Sequence, residues 1–197
     1  MMKKVYVVLS LTLMGALSSC GIQAIPMAKN EVDATLSEVT NQYQRRADLI
    51  PNLVKTVKAY AEHEQETLEA VVNARAKATS MNIDPSKATP EQLESFANAQ
   101  GGLSQALGRL LLVAEQYPNL KADQNFRDLQ AQLEGTENRI TVARNRHIEA
   151  VKHFNNQITV PPSSWVNSLF YKFSKMPQWT STTKTPEQLE TAPAVEF

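Results

Sequence analysis

The sequence predicts an all-α fold: an up-and-down bundle of long antiparallel helices, with the first helix kinked at Pro51. Three observations carry that prediction. Glycine is scarce, six in 197 residues, while Ala, Leu, Gln, Glu, Lys and Arg are plentiful, a composition that favours helix. Between about Lys29 and Ser80 no glycine occurs, and apolar residues recur every three or four positions, as on one face of an amphipathic helix. Prolines and polar clusters then punctuate the chain where helices of ordinary length should end. The length suits one domain with a real core. Twenty basic residues balance 20 acidic ones, which leaves no field to attract nucleic acid. The single cysteine excludes an internal disulfide.

The chain opens with Lys3 and Lys4, an apolar run from Val5 to about Leu17, and small residues, the layout of a bacterial secretory signal. That run, about 13 residues, is short of the roughly 20 a spanning helix needs. Its end, Leu17-Ser18-Ser19-Cys20, resembles a lipobox. The resemblance implies cleavage of residues 1–19 and a diacylglyceryl group on Cys20, with 20–28 as a lipidated linker. The other reading is an ordinary cleaved signal with a stray cysteine. Gly21 rather than Asp after the cysteine favours the outer membrane by the enterobacterial sorting rule.

The bundle is expected over residues 29–178. Its first helix, about 29–80, carries Val32, Leu36, Val39, Tyr43, Ile50, Leu53, Val57, Tyr60, Leu68 and Val71 on one face. Pro51 removes the bond to the Ala47 carbonyl, so a kink is expected there rather than two separate helices. Arg45, Arg46, Asp48 and Asn52 cluster about the freed carbonyls. "MNIDPSKATP" is turn chemistry. Thr89 and Pro90 then read as N-cap and first residue of a second helix that ends before Pro118. Ala97, Gly101, Ser104 and Gly108 form a small-residue stripe on it, where another helix could approach closely. The third helix, about 120–158, has the stripe Phe126, Leu129, Leu133, Ile140, His147, Val151, Phe154 and Ile158, and Pro161-Pro162 stops it. In "SSWVNSLFYKFSKM" the residues Trp165, Leu169 and Phe173 share a helical face. Trp165, Phe170, Phe173 and Trp179 read either as an interfacial membrane segment or as a stripe packed on the bundle. From 179 to 197 the composition reads as a disordered tail.

Four charges fall on inward stripes: Arg46 and Glu64 on the first helix, Glu137 and Arg144 on the third. An unpaired buried charge costs several kcal/mol, so these groups must pair or lie near water. One reading is a buried polar network that fixes helix register; the other is a ligand or catalytic site using Arg46, Glu137 and Arg144. No catalytic constellation or cofactor is expected. "HEQE" is not a zincin motif, no Glu-x-x-His occurs, and no thiol follows Cys20. His63 beside Glu62, Glu64 and Glu66 reads as a solvated cluster rather than a metal site.

"RRADLIPNLVKTVKAYAEHE", "TLEAVVNARAKA" and "LLLVAEQYPNLKADQNFRDLQAQLEGTENRITVARNRHIEAVKHFNN" closely resemble the LemA family, over roughly residues 40–160. The resemblance implies an all-helical bundle attached to a bacterial envelope membrane and no established enzyme activity. The family's motif positions fall on Arg45, Arg46, Asp48, Pro51, Asn52, His63, Glu64, Glu115, Tyr117, Pro118, Glu137 and Arg144. The chain departs from the family at His147-Ile148, at Val160-Pro161, at "WVNSLFYKFSKMPQW", and in carrying a lipobox where many members have a transmembrane helix.

Helix lengths suggest that residues 29–50 extend past the bundle. Their apolar stripe would then be a membrane-proximal stalk, pairing with a second copy or another envelope protein, unless the third helix or the C-terminal segment folds back over it. The functional expectation is a lipid-anchored, non-enzymatic interaction or scaffold module. The alternatives are a ligand-binding or enzymatic bundle, or a membrane-organising protein.

Overall fold

A computed structural model describes residues 2–179 apart from Asn82, with side chains described from Ile22 onward. The elements are α1 (Met2–Tyr60), α2 (Gln65–Thr79), α3 (Pro90–Ala114), α4 (Pro118–Ala122), α5 (Gln124–Thr159), α6 (Ser163–Val166) and a π-helical turn, Asn167–Tyr171. No strand occurs among the described residues. No helix there is long and apolar enough to cross a membrane. The chain forms two compact units, to both of which α1 and α5 contribute.

One unit holds residues 39–142 and Trp179. Side-chain bonds fix its topology. Arg75 on α2 reaches Ala47 on α1, Gln100 on α3 reaches Ala78 on α2, and Tyr60 on α1 meets Asp123 beside α5. α2 thus runs antiparallel to α1, α3 to α2, and α5 to α1. Ile50, Leu53, Val57, Leu68, Val71, Leu103, Leu110, Leu120 and Phe126 form the core. α3 starts as its sequence requires: Thr89 Oγ1 accepts from Gln92 N, Gln92 Oε1 accepts from Thr89 N, and Pro90 fills the first turn. Asp123 caps α5 by accepting from Phe126 N at 2.9 Å.

The other unit holds residues up to 38 together with 143–178. There Ile25, Ala28 and Val32 of α1 pack on Ala150, Val151, Phe154 and Ile158 of α5. Val32 and Leu36, expected on a projecting stalk, are buried. So are Val39, Tyr43 and Ile50 in the first unit, and the stripe that motivated self-association is core. Residues 20–28, expected as a linker, belong to α1, and Ile25 and Ala28 are buried.

Other expectations need correction. The first helix does not run to Ser80; it ends at Tyr60, and the chain reverses through 61–64 into α2. No Gly or Pro marks this turn, and the apolar spacing from Val57 through Ala61 to Leu68 continues across it, so periodicity alone reads straight through. Gly101 and Gly108 face open space, with nothing within 4 Å of an added Cβ; of the small-residue stripe, Ser104 meets α1 through the Arg46 side chain. The Trp165 segment is not one amphipathic helix: α6 passes into the π turn, which Lys172 ends in a left-handed conformation, φ 55°. Phe173 lies beyond it. The expected tail lies outside the described residues except for Trp179, whose ring meets Phe96 edge-on at 6.4 Å.

α1 continues unbroken through Pro51. Proline has no N–H, so the Ala47 carbonyl lacks its helical donor. Arg75 Nε, from α2, donates to it at 2.8 Å. A buried carbonyl left without a partner costs about 1–3 kcal/mol, which this bond avoids. The donor comes from another helix, not from the polar residues flanking Pro51.

Candidate functional site

Arg46 is the largest side chain among those fully buried, 1 % exposed. Its Nη1 donates to Glu137 Oε1 at 2.5 Å and Ser104 Oγ at 2.7 Å. Its Nη2 donates to the Gln100 side-chain oxygen at 2.7 Å and backbone carbonyl at 3.2 Å. Gln100 Nε2 in turn donates to Ala78 O at 3.3 Å. The guanidinium lies 5.0 Å from the centre of the Tyr43 ring, within cation–π range. Arg46 therefore joins α1, α3 and α5 directly, and Gln100 extends the network to α2. Arg46 Nε alone has no acceptor. Glu137 is 49 % exposed at its side chain, so the carboxylate faces water while the cation does not.

Sequence reasoning expects Arg46 and Glu137 on inward faces; the structure buries Arg46 and pairs it with Glu137, whose side chain is half-exposed. It does not bring Glu64 to them. Glu64 accepts from Tyr117 Oη at 2.9 Å, while Tyr60 Oη donates to Asp123 at 2.9 Å. These carboxylates, by accepting the phenolic protons, push both tyrosine pKa values up. Arg144 is half-buried and belongs to the other unit. Gln100 and Ser104 were missed. The available signal was Gln100 standing in the Phe96, Leu103, Leu107 face of α3, a polar residue at a core position.

In the other unit, His147 is 2 % exposed, with Nδ1 3.1 Å from Thr35 Oγ1. Burial lowers its pKa from 6.5, against smaller upward pulls from the Val32 backbone and the Asp33 charge. The folded state therefore prefers neutral His147, while the unfolded chain takes up its proton near the ordinary value. Its contribution to stability is fully present above about pH 6.5 and is lost as pH falls towards the lowered folded value. Melting of His147→Gln against wild type, from pH 8 to pH 5, should show a shallower acid decline in the variant. Parallel curves would refute this.

A groove of about 540 Å³ lies beside α1 and α5, lined by Arg45, Asp48, Gln132 and Arg139 among others. Its charged side chains are exposed, and Asp48 accepts from Gln44 at 2.8 Å. Among the described residues no group of three or more His, Cys, Asp or Glu is placed to hold a metal ion.

Comparison with known proteins adds the family. Residues 35–197 match the model of the LemA family. Magnetosome proteins MamQ 1 and MamQ 2 of Paramagnetospirillum magneticum (strain ATCC 700264 / AMB-1) are each 26% identical over 157 residues, covering 69% of this chain and 56% of theirs. Protein LemA of Metamycoplasma hominis is 25% identical over 144 residues, covering 73% of this chain and 61% of its own. The chain thus spans less than two thirds of the length of each. The family match takes in Arg46, its partners and both tyrosine–carboxylate pairs, and the chain belongs to the LemA family.

Proposed function

We propose that the protein is a lipid-anchored, non-enzymatic scaffold of the bacterial cell envelope, held to a membrane through acyl chains on Cys20. One observation carries the scaffold reading. Charges that a catalytic or ligand site could use already have partners: Arg46 is paired with Glu137 and hydrogen-bonded to Gln100 and Ser104, and Glu64 accepts from Tyr117. Several positions marked by the family motif thus satisfy each other at helix contacts. Such a frame holds surfaces in place, and the charges of Arg46 and Glu64 are engaged in it rather than presented to a reacting molecule.

The anchor reading rests on the sequence before α1's described side chains: Lys3, Lys4, the apolar run and Leu17-Ser18-Ser19-Cys20. Two or three acyl chains hold far better than one. Gly21 favours the outer membrane, with the bundle facing the periplasm if the cell is Gram-negative. With the α1 stripe buried, a partner, whether a second copy or another envelope protein, must use a different surface.

Cys20→Ala is expected to abolish incorporation of a clickable fatty acid in growing cells, read by in-gel fluorescence of the isolated protein. Label retained on the variant would overturn the anchor. Crosslinking in intact cells is expected to capture an envelope protein with the wild type; turnover of a small molecule by the purified protein would overturn the non-enzymatic reading.

A further inference from the structure

We infer that the segment after α5, residues 163–176, is a second membrane contact, in which Trp165, Leu169 and Phe170 enter the interfacial zone of an anionic phospholipid bilayer. The inference rests on the membrane-anchor reading and adds a lipid-binding surface to it.

The three side chains are 65 %, 72 % and 69 % exposed. Large apolar groups clustered in water mark an interaction surface. This one is not a loose end. Tyr171 Oη donates to the Ile22 carbonyl at 2.8 Å. Asn167 bonds both the N–H and the carbonyl of Phe173, each at 3.0 Å. Asn155 does the same for Met176, at 2.8 and 2.9 Å. The Phe173 ring packs on Phe154 with 5.8 Å between centroids. The segment is closed on itself by Asn167 and tied to α1 and α5 at three places, and Trp165, Leu169 and Phe170 still face outward.

Position and charge choose the occupant. The bond to Ile22 sets the segment beside the residue two places after Cys20. Ile22 and Met27 of α1 and Val160 at the end of α5 are also exposed, so apolar surface extends along this end of the unit. From Val151 to Trp179 the chain has three lysines and no acidic residue. Lys152 pairs with Glu149, whereas Lys172 and Lys175 are exposed within the segment itself. Aromatic residues flanked by lysines suit the boundary between acyl chains and anionic headgroups.

The test uses the full chain carrying Trp179→Phe, which leaves Trp165 as the one tryptophan. It is reconstituted into phosphatidylethanolamine–phosphatidylglycerol vesicles with bromine at shallow or deep acyl positions. Trp165 emission should shift to the blue and be quenched more by shallow than by deep bromine. Quenching should weaken in phosphatidylcholine vesicles and in the Lys172→Glu/Lys175→Glu variant. Water-like, unquenched emission from protein that floats with the vesicles would overturn the inference and leave the Cys20 anchor standing. Quenched Trp165 without acyl label on Cys20 would support the contact and overturn the anchor. A second readout needs no tryptophan replacement. A photo-crosslinking residue in place of Phe170 should capture phospholipid in cells; capture of protein alone would overturn the lipid assignment.

Discussion

Glu137→Ala is expected to cost about 3 kcal/mol of stability, because it strands a cation rather than because it removes an anion. Arg46 is 1 % exposed, and without the carboxylate its guanidinium keeps only the neutral oxygens of Ser104 and Gln100. Glu137 itself is half in water, so its own loss of solvation is minor. This asymmetry gives a sharper test than the single variant. Arg46→Met on the Glu137→Ala background removes the stranded charge and fills much the same volume, and buried ion pairs replaced in this way often lose nothing. The double variant should therefore melt above Glu137→Ala. If it melts lower, or if Glu137→Ala melts with the wild type, the cation is not the source of the penalty.

Phe154→Ala is the second large effect, expected at about 3–5 kcal/mol. The ring is 1 % exposed and sits among Ile25, Ala28, Val32, Val151 and Ile158. Its removal leaves a cavity and takes away the ring on which Phe173 packs. Hydrogen exchange should quicken first in residues 22–36 and 147–176, while the amides about Leu53, Val71 and Leu103 stay protected. Equal acceleration in both units, or none, would contradict the division of the core described above.

Much of the fold was legible because apolar spacing survives in sequence. The Thr89 cap, the end of α3 near Pro118 and the long α5 follow from local rules, and Arg46 and Glu137 were found because charge on an apolar face requires a partner. What was not legible depends on neighbours. The reversal at 61–64 has no breaker residue; Tyr117 bonded to Glu64 and Asp123 bonded to Tyr60 fasten that end from other elements. Glu64 and Arg144 share faces with the central pair but not its place, since periodicity names a side of a helix and not what stands opposite. The burial of the α1 stripe was open for the same reason: Val32 is covered by the far half of α5, more than a hundred residues away in sequence, and Tyr43 by Phe96 of α3.

The bond between Arg75 and Ala47 bears on which alignments of α1 and α2 the chain can reject. Apolar stripes discriminate weakly against slippage, because moving one helix past another by two turns sets leucine and valine against similar neighbours. An acceptor vacated by proline does not repeat. A slip of a single turn, about 5.4 Å, would carry the guanidinium out of hydrogen-bonding reach and leave the Ala47 oxygen orphaned. Pro51 thus acts as an index mark: a defect in one helix that only one alignment of its neighbour can repair.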